Sequence, residues 1–261
     1  MKKNFPLISV IVPTHNNEAT ISVALDSLIA QSYPNLEIIV IDDNSTDGTG
    51  RVAENYTRRF VRVSYYSLPY DDPKRMNAKG RNVNAGYLAR NYGLEKTRGE
   101  WITFQDADDA SLSNRIEAQY LIAKRYGALH VCLEWQRLDE SLLGKSFDFE
   151  RALENEPDII IRSETIIESA RRARGIAMTA LGTFRALVPF GIKTARVINR
   201  LFFGTLESYP GSGNSPLFAR SIAGRIKFRS IDDRIWPSFT GRGADRDFNF
   251  QAAVRDRKSV V

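Results

Sequence analysis

The residues best equipped for chemistry fall in three short polar runs, each directly after an apolar one: Pro13-Thr14-His15-Asn16-Asn17, Asp42-Asp43-Asn44-Ser45-Thr46-Asp47 and Gln105-Asp106-Ala107-Asp108-Asp109. Carboxylates crowded into one cleft repel one another, and a cation or proton uptake relieves the repulsion. With a single cysteine, Cys132, and two histidines far apart, His15 and His130, neither a cysteine site nor a histidine-rich zinc site is available. A metal here must be held by oxygen. Mg2+ and Mn2+ suit that donor set and commonly bridge one or two carboxylates to substrate phosphates. In Asp106-Ala107-Asp108 one carboxylate can take the metal while the other reaches a ribose hydroxyl or a bound water.

These runs need a scaffold that brings them to one edge. Strand and helix signals alternate at short spacing over the first half of the chain, the pattern of an α/β protein with a mostly parallel sheet flanked by helices. In such sheets ligands bind beyond the carboxyl ends of the strands, where the polar runs fall. The apolar run Leu7 to Val12 predicts a strand buried on both faces and stopped by Pro13. Asn17 can cap a helix whose buried face is Ile21, Ala24, Leu25, Leu28 and Ile29. Leu36 to Ile41 predicts the second strand, and Ser45, Thr46 or Asp47 a cap for a helix through Val52 and Ala53. Further strands are expected over Val61 to Tyr66, Trp101 to Phe104 and Ala128 to Trp135. Helices are expected over Tyr87 to Lys96 and about 114 to 125, with a polar loop from Asp71 to Gly80. Beyond Asp139 the alternation fades, and no repeat or flexible linker divides the chain.

The order and spacing of four segments carry a family resemblance. They are Ile8-Ser9-Val10-Ile11-Val12-Pro13-Thr14-His15-Asn16, Ile41-Asp42-Asp43-Asn44-Ser45-Thr46-Asp47-Gly48-Thr49, Ala89-Arg90-Asn91-Tyr92-Gly93-Leu94, and Gly99 through Asp109. Together they resemble the successive signatures of glycosyltransferase family 2, the inverting enzymes of GT-A (Rossmann-like) fold. The resemblance implies a single domain over 1–261, with a nucleotide-sugar-binding half at 1–115 and a smaller acceptor-binding half at 116–261. It implies that Pro13 and Thr14 lie against the nucleotide base and that Asp42 accepts a hydrogen bond from that base, most often uracil. Asp43 and Asn91 join this nucleotide-sugar-binding set. Asp106 would touch the ribose or a metal-bound water and share the metal with Asp108, which ligates Mn2+ or Mg2+, with Asp109 in support. The family's late general base corresponds to Asp245 in Gly243-Ala244-Asp245-Arg246-Asp247-Phe248, where Ala244 replaces the usual glutamate. Asp247 and the pair Asp232-Asp233 are the alternatives. Gly211 to Arg220 resembles the family's acceptor-side strand, and the absence of Gln-x-x-Arg-Trp favours a single addition over polymerisation. The acceptor class implied is a glycan, a lipid-linked group or a protein. The competing reading is a nucleotide-sugar-binding protein with weak or partner-dependent turnover.

Blander readings compete at each site. An acidic turn entering a helix is favoured by the helix dipole, and Asp245 to Asp247 reads equally well as a solvated helix start. Gly48-Thr49-Gly50-Arg51-Val52-Ala53 matches the glycine fingerprint of dinucleotide-binding folds, but it starts too far past its strand to form the pyrophosphate turn. The net charge of +6 is uneven: no acidic residue separates Glu168 from Glu207, whereas Arg171, Arg172, Arg174, Arg185, Lys193, Arg196 and Arg200 are basic. This stretch, 169–204, is read either as peripheral contact with an anionic membrane or as packed helices with a solvated basic face. Nucleic acid is not an expected partner, because aromatic and basic residues are not interleaved in a binding module. The first residues lack the apolar core and cleavage site of a secretory signal, so a cytoplasmic location is expected.

Overall fold

A computed structural model of the chain describes residues 5–71, 86–133, 140–155, 215–230 and 244–256. The strands are β1 (Ile8–Thr14), β2 (Leu36–Asp42), β3 (Val63–Ser67), β4 (Trp101–Phe104), β5 (His130–Val131) and β6 (Leu217–Ala219). They form one sheet in the order β3-β2-β1-β4-β6-β5. β3, β2, β1 and β4 run parallel, and β6 lies antiparallel between β4 and β5. The helices are α1 (Ile21–Ile29), α2 (Thr49–Arg59), α3 (Tyr87–Lys96), α4 (Arg115–Tyr126), α5 (Phe149–Asn155), α6 (Arg220–Ala223) and α7 (Ala244–Asp256).

The alternation along β1 and β2 builds two cores. Ile8, Val10, Val12, Ile38 and Val40 pack with Ile21, Leu25 and Leu28 of α1, Ala53 and Tyr56 of α2, and Ile116 of α4. Ile11, Ile39 and Ile41 point the other way, toward Ala89 of α3, Ile222 of α6, and Ala244, Phe248 and Ala252 of α7. Each fully buried Ile, Leu or Val contributes about 1.5–3 kcal/mol by leaving water, so both faces of the sheet must be covered. Under α7 the rings of Phe104, Phe218, Phe228 and Phe248 form one cluster, with centroids 4.4–5.6 Å apart. α3 approaches the sheet so closely that a Cβ on Gly93 would sit 2.4 Å from Ile11 Cγ2.

Several sequence expectations need correction. Pro13 does not end β1, which pairs with β2 through Thr14. Its missing N–H faces the β4 side, where the ladder has already ended with Gln105 N–H donating to the Ile11 carbonyl. Asn17 does not cap α1 through its side chain: Thr20 is the N-cap, and Asn17 Oδ1 accepts from the Thr14 hydroxyl and the His15 N–H. Gly48 is the N-cap of α2, while Asp47 accepts from the N–H and hydroxyl of Thr49. β3 starts at Val63, leaving Val61 fully exposed. β5 is shorter than the expected 128–135, two residues long with 134–139 outside the described residues. Only Asp71 of the polar loop 71–80 is described.

Candidate active site

The carboxyl ends of β1, β2 and β4 bring the three polar runs together. Register pairs Thr14 with Asp42, and the Asp43 N–H donates to the Thr14 carbonyl at 2.8 Å. Loop bracing follows from the side chains in between: Asn16 N–H donates to Ser45 Oγ, Thr46 N–H to Asn16 Oδ1, and His15 Nδ1 pairs with the Asp43 carbonyl at 2.6 Å. Asn16 and Asn44 take the left-handed conformation, which asparagine tolerates better than most residues. Pro13, Thr14, Asp42 and Asp43 are all buried at this edge.

Asp42 is held in a fixed plane. One carboxylate oxygen accepts from the Ser45 N–H and the other from the Tyr65 hydroxyl, each at 2.8 Å. A carboxylate oxygen has a second lone pair, so Asp42 keeps acceptor capacity for a ligand. Gly50 leaves room for this contact, since a Cβ there would lie 2.7 Å from the Tyr65 hydroxyl oxygen. The neighbouring Gly48 is closed off by Glu18, whose carboxylate accepts the Gly48 N–H, so this glycine pair serves a helix start and not a pyrophosphate turn.

After β4, Asp106, Asp108 and Asp109 each place a carboxylate oxygen within 4.8 Å of the others. Ala107 is buried and fixes the turn, while Asp108 and Asp109 are exposed. Three hard oxygens at that spacing fit a divalent cation of the Mg2+ or Mn2+ type. Below them, Arg90 of α3 donates to Asp106 Oδ1 and stacks 5.3 Å from the Phe228 ring centre. Burial pulls the Arg90 pKa down, but Asp106, Asp245 and Asp108 outweigh it and hold the guanidinium above its ordinary value. The same cation thus senses the turn after β4 and the first turn of α7. Gly86, with φ of +65°, starts α3 where a side chain would press on Arg90 Nη1 at 3.2 Å.

Two sequence candidates have their side chains engaged within the protein. Asn91 spends both ends of its amide on the Phe228 backbone, at 2.8 and 2.9 Å, and so ties the segment after α6 to α3. Asp247 is fully buried and bridged by the Arg229 fork, with Gln251 Nε2 also donating at 2.9 Å. That pairing makes it an anchor for α7, whereas Asp245 lies in the electrostatic reach of Arg90. Asp232, Asp233 and the basic stretch 169–204 lie outside the described residues. Arg90 was visible in sequence only as a motif letter. A charge on the same buried helix face as Ala89 and Gly93 is the signal that could have found it.

The glycosyl transferase family 2 model matches residues 9–147, more than half of the chain. The chain belongs to glycosyl transferase family 2. Among family relatives, it is 38% identical over 117 residues to an uncharacterized glycosyltransferase of Haemophilus influenzae, covering 44% of this chain and 42% of that protein. It is 37% identical over 111 residues to the GalNAc(5)-diNAcBac-PP-undecaprenol beta-1,3-glucosyltransferase of Campylobacter jejuni, covering 42% of this chain and 32% of that protein. The chain therefore spans less than half the length of these relatives. Its GT-A fold is shared with S. aureus TarS 1-349 in complex with UDP (TM-score 0.58, 18% identity, 97% of this chain and 57% of that one). It is also shared with the mannosyltransferase PcManGT from Pyrobaculum calidifontis in complex with GDP-Man and Mn2+ (TM-score 0.55, 18% identity, 99% of this chain and 55% of that one). No helix among the described residues is long and apolar enough to cross a membrane.

Proposed function

We propose that this chain is an inverting glycosyltransferase that moves a sugar from a nucleotide-sugar to an acceptor hydroxyl. The observation that carries the reading is the cluster of Asp106, Asp108 and Asp109 at the carboxyl end of β4, their carboxylate oxygens within 4.8 Å of one another and Arg90 bonded to Asp106 beneath them. UDP is the favoured nucleotide because TarS takes UDP and UDP-GlcNAc, although PcManGT takes GDP-Man. A lipid-linked acceptor is favoured by the undecaprenol-linked glucosyltransferase relative, with glycan and protein acceptors as alternatives. The working place proposed is the cytoplasm or the cytoplasmic face of a membrane, with 169–204 as the contact. Binding of the protein to anionic vesicles at low salt, lost at high salt, tests that contact, and no sedimentation at low salt removes it.

Chemically, the acceptor oxygen attacks the anomeric carbon as the bond from that carbon to the phosphate oxygen breaks. The acceptor proton passes to Asp245, and the electron pair leaves with the nucleoside diphosphate. A divalent cation held by Asp106 and Asp108, with Asp109 in support, would stabilise the negative charge gathering on that leaving group. Pro13 and Thr14 line the base, and Asp42, locked by Tyr65 and Ser45, accepts from it. Asp43 supports that edge through its backbone. Turnover abolished in Asp245→Asn with nucleotide affinity kept would support this assignment. Unchanged turnover in that variant would remove Asp245 from the mechanism, and a wild-type chain that binds nucleotide-sugar without turnover would point to a binding protein.

A further inference from the structure

A polar network runs beneath the acidic turn, on the face of the sheet that α4 covers. Arg115, the first residue of α4, donates from Nε to Ser111 Oγ at 2.7 Å. From Nη1 it donates to Thr103 Oγ1 and Gln119 Oε1, both at 3.1 Å, and to the Ser215 carbonyl at 3.4 Å. Gln119 Nε2 donates to the same carbonyl at 2.8 Å, and the Ser111 hydroxyl donates to Gln105 Oε1. Thr103, Gln105, Ser111 and Gln119 are all buried.

The ends of this network matter more than its middle. Gln105 immediately precedes Asp106, and Asp109, at the far side of the turn, is within electrostatic reach of Arg115. Ser215 leads into β6, the segment that resembles the family's acceptor side and pairs with β4. Arg115 Nη2 is shut off from water with no partner among the described residues. An unsatisfied buried donor costs about 1–3 kcal/mol, so the fork carries that cost beside the hydrogen bonds it makes.

We infer that Arg115 is a positioning residue for sugar transfer, its fork fixing the spacing between the Asp106 to Asp109 turn and the segment that enters β6. The inference rests on the donor reading above. Because one fork reaches Ser111, Thr103, Gln119 and Ser215 together, a lysine that keeps the charge cannot replace it.

Two measurements on Arg115→Met and Arg115→Lys test this, both well below their melting temperatures. In hydrogen exchange of the unliganded protein, peptides spanning 105–111 and 215–219 should lose protection together in both variants. In calorimetry, UDP with Mn2+ should bind about tenfold more weakly to both variants, as expected when an outer-shell partner of a metal site is lost. With EDTA in place of Mn2+, UDP binding should be lost alike in wild type and in both variants. Unchanged exchange in the two peptides would overturn the inference, whatever the ligand result. So would wild-type affinity for UDP with Mn2+ in Arg115→Lys, which would leave charge as the only role, or tighter binding in Arg115→Met, which would make Arg115 merely repulsive to the metal. A wild-type chain that takes no UDP with Mn2+ while the exchange result holds would strike down the donor reading and, with it, the positioning role.

Discussion

Arg90 and Asp106 form an ion pair beneath the acidic turn, with the guanidinium side chain 5% exposed and the carboxylate 20% exposed. Removing one partner of a buried pair leaves an uncompensated charge, which typically costs about 3–5 kcal/mol. Asp106→Asn should therefore lower the unfolding free energy toward the lower end of that range, since Asp245 and Asp108 still neutralise Arg90 in part. Asp108→Asn, at an exposed position, should stay within about 0.5 kcal/mol of wild type. Urea unfolding separates the two; equal losses would mean that the carboxylates are structurally equivalent.

Asp245 and Asp247 sit two residues apart and should fail in opposite ways. Asp247 is fully buried in the Arg229 fork, so Asp247→Asn should destabilise the protein by about 3 kcal/mol. Asp245→Asn should instead leave nucleotide binding intact and lower turnover by about 10²–10⁴-fold, the usual contribution of a general base. Melting curves and donor turnover measured on the same preparations check both; a stable Asp247→Asn that loses turnover would exchange their roles.

His130 ties β5 to α7 through Asn249 and is pushed down to about 4 by burial, against a smaller opposing effect of the Asn249 hydrogen bond. The folded state thus favours the neutral ring, whose ordinary pKa is about 6.5. Its contribution is fully present above pH 6.5 and is lost as pH falls toward 4, by up to about 3 kcal/mol at 1.36 kcal/mol per pKa unit. Urea unfolding at pH 7.5 and pH 5 should show this loss in wild type and a much smaller one in His130→Gln. Equal pH slopes in the two would assign the acid sensitivity elsewhere.

A side chain at Gly93 would meet Ile11 Cγ2 at 2.4 Å and Ile41 Cγ1 at 3.3 Å, inside a packed core. Gly93→Ala should therefore cost about 1–3 kcal/mol by overpacking, in spite of alanine's better helix propensity. Thermal unfolding reads this directly; a rise in melting temperature would show that α3 can lift off the sheet.

How much of this was legible in the sequence depended on how local each signal was. α3 and β4 match their expected bounds, because a helix ended ahead of Gly99 and a short apolar run before a polar turn are both written locally. The extension of β1 through Pro13 was not, because it depends on where the β4 ladder ends. Strand order, and the antiparallel place of β6 between β4 and β5, follow from long-range pairing that no window of sequence contains. At the site, the acidic residues stood out by type and spacing, but their organiser did not. Arg90 lies inside the same motif as Asn91, and the two are told apart by Arg90's bond to Asp106 and Asn91's amide pairing with the Phe228 backbone. The choice between Asp245 and Asp247 likewise needed Arg229, which is distant from both in the motif's terms but packed against one of them.

The central claim, that Asp108 and Asp106 hold the metal through which a nucleotide-sugar binds, is tested most directly by the melting temperature in saturating UDP, with Mn2+ and again with EDTA, for wild type and Asp108→Asn. A ligand that binds only the folded state raises the melting temperature by mass action. We expect a rise in wild type with Mn2+ that EDTA removes and that Asp108→Asn does not show; a rise that survives EDTA, or that is undiminished in Asp108→Asn, would contradict the assignment.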